Sequence, residues 1–238
     1  MTTVLAVSDP ANRSPKAELT RQSIVDAALR LFRAGGYDKT TMRAIADEAG
    51  VSAGNAYYYF GSKEHLIQAF YDQVQDEHAR AAERALTGSP AFADRLRGVL
   101  LAWVEVAEPY HEFAGKFFKN AAEPTSPLSP FSPESAPARD ASIAIFRRVL
   151  DGSDLKLTPA LRREMPELLW LLHMGVVLFW VHDRSPGQAR TRTLVDRAVP
   201  LVDKLARLTR LPVVRGVVND LIGLMSSLRD EGPAPELP

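Results

Sequence analysis

The sequence predicts an all-α protein in which a small N-terminal unit of three helices precedes a larger helical domain. Apolar residues recur at three- and four-residue spacing along most of the 238 residues, as in amphipathic helices. No segment shows the sustained two-residue alternation, bounded by turn residues, that is typical of strands. Glycine, serine, threonine and proline stand at the points where helices are expected to start or end.

The first predicted helix runs to about Ala34 and has one apolar face. Its inner residues follow the spacing i, i+3, i+4, i+7 and i+8. They are Ile24, Ala27, Ala28, Leu31 and Phe32. Gly35 and Gly36 end this helix, because glycine accepts the left-handed backbone that commonly follows a helix.

Two short helices come next, joined by a tight turn. Thr40 or Thr41 can cap the second helix, since a hydroxyl oxygen there accepts a free backbone N–H. The buried face of that helix is Met42, Ile45, Ala46 and Ala49. Gly50 ends it, and Ser52 caps a third helix from Ala53 to about Tyr59. So short a turn forces two helices into a crossed pair.

The remaining elements are also predicted to be helical. Ser62 caps a fourth helix that runs to about Leu86, and further helices follow at about 91–107, 109–122, 138–151, 158–183, 187–210 and 213–229. Pro166 and Pro200 are expected to kink or split their helices. The proline- and serine-rich stretch 123–137 is predicted to be a mobile loop. The domain plan is an arm at 1–17, a unit at 18–64, a domain at 65–230 and a disordered tail at 231–238.

Composition excludes several classes of protein. Without cysteine, the chain has no disulfides, thiolate metal sites or cysteine nucleophiles. The N-terminus does not resemble a secretory signal. The apolar run 168–181 is shorter than the roughly 20 residues of a membrane span, so we expect a buried helix and a soluble cytoplasmic protein without membrane contact. The formal net charge is +0, so any attraction for DNA must come from local basic patches.

Residues 40–66 carry the strongest functional signal. A short helix with outward aromatic and amide side chains, braced by an apolar helix before it, is typical of units that enter the DNA major groove. The three tyrosines at 57–59 cannot all point inward, because a helix turns about 100° per residue. The pattern therefore indicates a DNA-binding regulator.

The segment from Arg21 to Leu66 resembles the DNA-binding domain of the tetracycline-repressor (TetR) family. The resemblance shows in A-x-x-L-F-x-x-x-G-Y from Ala28, T-T-x-x-x-I-A from Thr40, A-G-V-S-x-G-x-x-Y-x-x-F from Ala49 and S-K-E-x-L from Ser62. It implies an all-α fold with a helix-turn-helix DNA-binding domain and a larger ligand-binding and dimerisation domain. The chain differs from the common family pattern at Asn55 and Ala56.

The resemblance and the residue types together predict a set of DNA-contacting residues. The set is Thr41, Arg43, Ser52, Ala53, Gly54, Asn55, Tyr57, Tyr58, Tyr59 and Lys63. The resemblance makes Tyr57 the main aromatic contact and Lys63 a phosphate contact. Alternatives stay open: Tyr58 or Tyr59 can pack on the first helix, Asn55 can read adenine or stay solvated, and Ser52 can act mainly as a cap. Arg13 and Lys16 can reach a minor groove as a free arm.

A homodimer is expected, because paired helix-turn-helix units read palindromic operators one DNA turn apart. The helices at about 167–183 and 188–210 can pack against their copies as a four-helix bundle, as the resemblance implies; the alternative is a single-chain core. The outward residues would include Leu194, Ala198, Leu201, Val202, Leu205 and Leu208.

An apolar cavity for a small hydrophobic or aromatic effector is expected in the larger domain. Its predicted wall is Trp103, Tyr110, Phe113, Phe117, Trp170, His173 and Met174, with His111, Phe118 and Phe179 as further candidates. Each can equally be ordinary core. His173 is the most suggestive, because a buried imidazole requires a hydrogen-bond partner. His182, Asp183 and Arg184 are expected to cap a helix end.

No catalytic pattern emerges: the sequence lacks a glycine-rich phosphate loop, a nucleophile elbow and metal-ligand histidine spacing, so neither an enzyme nor a cofactor is predicted. The function predicted is a repressor that binds a palindromic operator as a homodimer and is released by ligand. A ligand-activated regulator is one alternative. A helical interaction protein that does not bind DNA is the other.

Overall fold

The computed structural model describes residues 14–123 and 125–211, with isolated positions at 216, 220, 223, 224 and 227. The side chains at 116, 117, 119 and 120 are not described. Most of the predicted arm, the tail at 231–238, the greater part of the predicted helix at 213–229 and the side chain of Phe117 therefore lie outside the described residues.

Nine α-helices and no strand occur in the described ranges, which confirms the predicted all-α class. They are α1 (Pro15–Gly35), α2 (Met42–Ala49), α3 (Ala53–Tyr59), α4 (Lys63–Ala85), α5 (Phe92–Ala107), α6 (His111–Ala122), α7 (Ala136–Asp151), α8 (Pro159–His182) and α9 (Ala189–Leu208). Short 3-10 helices at Glu108–Tyr110 and Pro186–Gln188 precede α6 and α9.

The helix starts follow the predicted capping chemistry. Thr41, not Thr40, caps α2, and Ser52, Ser62 and Thr158 cap α3, α4 and α8. The hydroxyl of Thr40 instead donates to the Gly36 carbonyl at 2.8 Å. Helix α1 begins at Pro15, three residues before the predicted domain start, because Ser14 caps it and proline suits its first turn. Lys16 therefore lies on a helix and not on a free arm.

Neither internal proline splits its helix: α8 continues through Pro166 and α9 through Pro200. Helix α8 packs against α6, α7 and α9. By length and composition alone it could also cross a membrane, but 39% of its most apolar window is buried inside the fold. The core helix of a soluble protein meets the same criteria.

The proline- and serine-rich stretch is packed, contrary to the prediction of a mobile loop. Leu128 is buried, and its carbonyl accepts the hydroxyl of Tyr71 at 3.2 Å. The Gln68 side chain donates to the Pro127 carbonyl at 2.7 Å, and the serine hydroxyls make local hydrogen bonds. The segment is irregular, because prolines disfavour regular helix and strand. Hydrogen bonds from Gln68 and Tyr71 nevertheless hold it against α4.

Two large apolar cores hold the molecule together. One lies within α4, α5, α7, α8 and α9. We call these five helices, together with α6, the body (residues 63–208). The other lies within α1–α3, which we call the head (residues 15–59), and extends to Phe70, Phe113 and Leu128 of the body. The head core therefore crosses the predicted boundary at residue 64.

Candidate nucleic-acid interface and internal cavity

The turn between α2 and α3 fixes the angle at which α3 leaves the head. Gly50 adopts the left-handed conformation (φ 70°, ψ 29°), which glycine allows without strain. The Val51 N–H donates to the Ala46 carbonyl at 3.0 Å. The Ser52 hydroxyl then accepts the Asn55 N–H at 3.1 Å, which starts α3. The head thus contains a helix-turn-helix whose turn is held to both flanking helices by hydrogen bonds.

Helix α3 buries Ala56 and exposes two of its three tyrosines. Ala56 is fully buried in the head core, so a small side chain fits at this difference from the family pattern. Tyr57 and Tyr58 are 54% and 77% exposed. Tyr59 is half-buried against the core and meets the Tyr58 ring edge-on at 5.4 Å. Inward packing, left open for Tyr58 and Tyr59, therefore applies to Tyr59.

The other predicted contact residues of the head lie at or near the surface. Thr41, Arg43, Ser52 and Gly54 are exposed, and Ala53 and Asn55 are half-buried. The hydroxyl of Ser52 serves as the α3 cap, so the side chain of Asn55 is not needed for that purpose. The head therefore exposes the guanidinium of Arg43 and the phenols of Tyr57 and Tyr58, and the half-buried amide of Asn55 lies on the same helix as the two phenols.

Lys63 is held at the junction of head and body. Its ammonium donates to the Tyr37 carbonyl at 2.8 Å and lies 4.4 Å from the Tyr37 ring centroid. The Tyr37 hydroxyl in turn donates to the Glu64 carboxylate at 2.7 Å. Burial and the neighbouring Glu64 carboxylate raise the pKa of Tyr37, so this phenol stays a donor. These contacts fix the α1–α2 loop against the start of α4.

The body encloses a cavity of about 570 Å³ between α4, α5, α6, α7, α8 and the segment 129–131. This volume falls within the roughly 300–1,000 Å³ typical of small-molecule sites. The predicted wall residues with described side chains all line it. They are Trp103, Tyr110, Phe113, Trp170, His173 and Met174, together with Phe118 from the wider set.

Two further candidates lie elsewhere. His111 donates from its ring to the Trp180 carbonyl at 2.7 Å, so it contacts a wall residue but does not line the cavity itself. Phe179 is on the outer surface of α8, 6.0 Å from the guanidinium of Arg190. Of the residues expected to cap the end of α8, His182 bonds through its ring to the Leu178 carbonyl in the last turn at 2.9 Å. Asp183 follows α8 and instead accepts hydrogen bonds from the backbone and hydroxyl groups of Ser185 and Thr191, which tie it to the start of α9.

Sequence reasoning missed several wall residues, above all Gln75, Ser142 and Trp180. Tyr71, Gln75 and His78 follow the spacing i, i+4 and i+7 on α4, so a lone amide on an inward helix face was the available signal. Ser142 gave no comparable signal, because a single serine amid apolar residues is common in helices.

Two buried histidines stand beside the cavity. His78 and His173 have ring centroids 5.8 Å apart, and His173 lies edge-on to Trp103 at 5.0 Å. Burial lowers the pKa of His78 to about 4 although its ring donates to the Val99 carbonyl at 3.1 Å. Burial, with His78 nearby, lowers the pKa of His173 well below its usual value. Both imidazoles are neutral at pH 7. In the described part of the chain, no group of three or more His, Asp or Glu residues is placed to hold a metal ion.

Two family models match separate parts of the chain. Residues 24–70 match "Bacterial regulatory proteins, tetR family", and residues 95–224 match "Tetracyclin repressor-like, C-terminal domain". The second match alone spans more than half of the chain.

Curated relatives match over part of their length. The HTH-type transcriptional regulator TtgR of Pseudomonas putida is 41% identical over 71 residues, which is 29% of this chain and 34% of that protein. The HTH-type transcriptional repressor KstR of Mycolicibacterium smegmatis is 34% identical over 93 residues, which is 39% of this chain and 46% of the relative. The matched region thus spans less than half the length of these relatives.

A solved structure shares the fold. Thermus thermophilus FadR, a TetR family transcriptional repressor in complex with lauroyl-CoA, superposes with a TM-score of 0.55 at 23% identity, covering 75% of this chain and 92% of that one. With a helix-turn-helix head, a cavity-bearing body and family matches over both, the chain belongs to the TetR family of transcriptional regulators.

Proposed function

We propose that this protein is a homodimeric repressor that binds a palindromic operator and is released by a small, mainly apolar effector. The observation that carries the proposal is the outer face of α3, where Tyr57 and Tyr58 are exposed on a helix anchored by the buried Ala56. Exposed aromatic side chains on a short, fixed helix suit entry into a major groove. A role in transcription places the protein in the cytoplasm.

The DNA contacts divide by chemistry. Tyr57 and Asn55 lie on α3 and reach base edges, where an amide can pair with adenine. Thr41, Arg43, Tyr59 and Lys63 contact phosphates and position the head. The ammonium of Lys63 has three N–H donors, so its bonds to the backbone of the α1–α2 loop leave capacity for a phosphate oxygen.

The dimer surface is the outward face of α8 and α9. Leu171, Leu178, Phe179, Leu201, Leu205 and Leu208 are exposed on these helices. The body core uses the opposite face of α9, through Val195, Val199 and Ala206. Several large apolar side chains exposed on two neighbouring helices are typical of an interface. Packing α8 and α9 on their copies gives a four-helix bundle with two heads.

Release by effector is supported by side chains that belong to both cavity and head core. Phe70 and Phe113 line the cavity and pack in the head core. The Phe113 ring stacks on Phe32 of α1 at 6.1 Å. An effector that binds better to one head arrangement than to another shifts the dimer toward it, and this differential affinity is what release requires.

Replacing Tyr57 with alanine is expected to abolish operator binding, with a loss of ~2–6 kcal/mol over two half-sites. The assay is an electrophoretic shift on the promoter region beside the gene, with light scattering to monitor the dimer. Tyr57→Phe is the matched control, because it keeps the ring and removes only the hydroxyl. A dimer lost together with DNA binding would contradict the division of roles between head and body. If candidate effectors strengthen the shift, the protein is a ligand-activated regulator instead.

A further inference from the structure

Polar atoms without a partner lie in the wall of the apolar cavity. They are Gln75 Nε2, Ser142 Oγ, Trp180 Nε1 and both ring nitrogens of His173, none of which has a hydrogen-bond partner within the described chain. Ser142 is only 5% exposed and His173 only 2% exposed. Buried polar atoms in folded proteins are nearly always hydrogen-bonded to protein, water or ligand. A group of them in one cavity therefore indicates a site for a polar atom of a bound molecule.

Helix packing brings Gln75 and Ser142 to the same level of the cavity. Helices α4 and α7 run parallel, since Gln68 lies 3.2 Å from the hydroxyl of Ser135 at one end. At the other end, Glu83 and Arg148 form an ion pair at 2.6 Å. Both Gln75 and Ser142 lie about midway between these two contacts along their helices.

His173 closes the group from α8. One turn beyond Gln75 lies His78, and one turn beyond Ser142 lies Phe146. The rings of His78 and Phe146 have their centroids 5.8 Å and 5.6 Å from that of His173. The amide, the hydroxyl and the imidazole thus belong to residues that line one cavity from three neighbouring helices.

The chemistry of this group favours an oxygen that accepts hydrogen bonds. The free Gln75 atom is an amide nitrogen, which only donates, while the Ser142 hydroxyl and the neutral His173 imidazole can each donate. Among the described wall residues Arg139 is the one charged side chain, and it already donates to the carbonyls of Pro130 and Ser132. The three unpartnered groups are themselves uncharged, so a neutral acceptor matches them, whereas an ionised ligand would depend on Arg139 for its counter-charge.

We propose that the effector is an uncharged, largely apolar molecule with a carbonyl oxygen that accepts hydrogen bonds from Gln75, Ser142 and His173. The proposal rests on the proposed role of the cavity as the effector site. The side chains of Gln75, Ser142 and His173 turn toward this oxygen when the molecule binds, a rotamer change that is common on binding. The aromatic wall, including Trp103 and Trp170, covers the apolar part.

Equilibrium dialysis of the full-length protein tests the proposal with three probes of similar shape: 2-acetylnaphthalene, 2-ethylnaphthalene and 2-naphthoate. Ser142→Ala and Gln75→Met should each weaken binding of the ketone about threefold to tenfold, the usual effect of one hydrogen bond. Binding of the hydrocarbon should change less than twofold. The carboxylate should bind more weakly than the ketone at pH 7.5.

Tyr71→Phe is the matched control. Tyr71 lines the same cavity, but its hydroxyl already donates to the Leu128 carbonyl at 3.2 Å, so the loss of this hydroxyl should leave ketone binding unchanged. The proposal is overturned if Ser142→Ala weakens ketone and hydrocarbon equally, if the carboxylate binds most tightly, or if the ketone does not bind. Dialysis uses no DNA, so these outcomes are independent of the operator-shift assay that tests the proposed repressor.

Discussion

The head and the body are built from the same kind of helix, yet they differ in where aromatic rings and unpartnered polar atoms lie. In the head the hydroxyls of Thr41 and Ser52 have partners as helix caps, and the rings of Tyr57 and Tyr58 are exposed to solvent. The body shows a leucine-rich face to solvent and keeps unpartnered polar atoms inside, as at Ser142 and His173. The head thus presents its side chains to an external partner, whereas the body contains a cavity that can receive a molecule. Substitutions at the contact between head and body, inside the body and inside the head should therefore affect stability, its pH dependence and DNA binding to different extents.

The largest effect is expected where the two regions meet. Phe113→Ala removes a buried ring that contacts Phe32 of the head and Phe70 of α4, at centroid distances of 6.1 and 5.7 Å. Truncating a buried phenylalanine costs about 3–5 kcal/mol of unfolding free energy. Urea unfolding followed by circular dichroism measures the loss. Phe131→Ala, at a cavity residue that is 62% exposed, is the control and should cost far less. Equal losses would mean that the shared core contributes little to stability.

A second effect, confined to the body, should follow pH. Burial lowers the pKa of His78 from 6.5 to about 4. Between these pH values the unfolded chain binds a proton at His78, whereas the folded chain does not. Stability is therefore full above pH 6.5 and falls as pH drops toward 4. The loss attributable to His78 between pH 7 and pH 5 is about 2 kcal/mol. Urea unfolding at both pH values measures it, and His78→Leu should reduce the difference by that amount. An unchanged difference in the variant would assign the pH dependence to other groups.

The smallest effect should be confined to the head. Ser52→Ala removes the hydroxyl that accepts the Asn55 N–H, and loss of such a cap costs about 1 kcal/mol, whereas Ser52→Gly costs only a few tenths. Thermal melting of both variants separates capping from DNA contact. If alanine and glycine weaken operator binding equally while differing in stability, Ser52 also touches DNA. If operator binding follows stability, its role is the cap.

Local chemistry explains which features the sequence could predict. Caps and glycine stops depend on neighbouring residues, so the ends of α2 and α3 were predicted within about one residue. The aromatic wall was predictable because large apolar side chains collect in the interior. The place of Ser142 in the wall was not predictable, because it depends on how α7 is aligned along α4. That alignment is determined by contacts between residues far apart in sequence. The packing of 123–137 escaped for the same reason, since the bonds of Gln68 and Tyr71 to that segment are long-range.

The shared phenylalanine core also limits how such regulators can be recombined. A chimera that joins this head to a foreign body at residue 64 would leave Phe32 without Phe113 and Phe70. The exposed ring edges would need new partners of matching size from α4 and α6 of the donor body. Biosensor designs that exchange recognition heads should therefore carry these two positions across with the head, although both lie in the wall of the cavity. The proposed DNA-binding head and the proposed effector-binding body therefore share one apolar core, which a cut at residue 64 would divide.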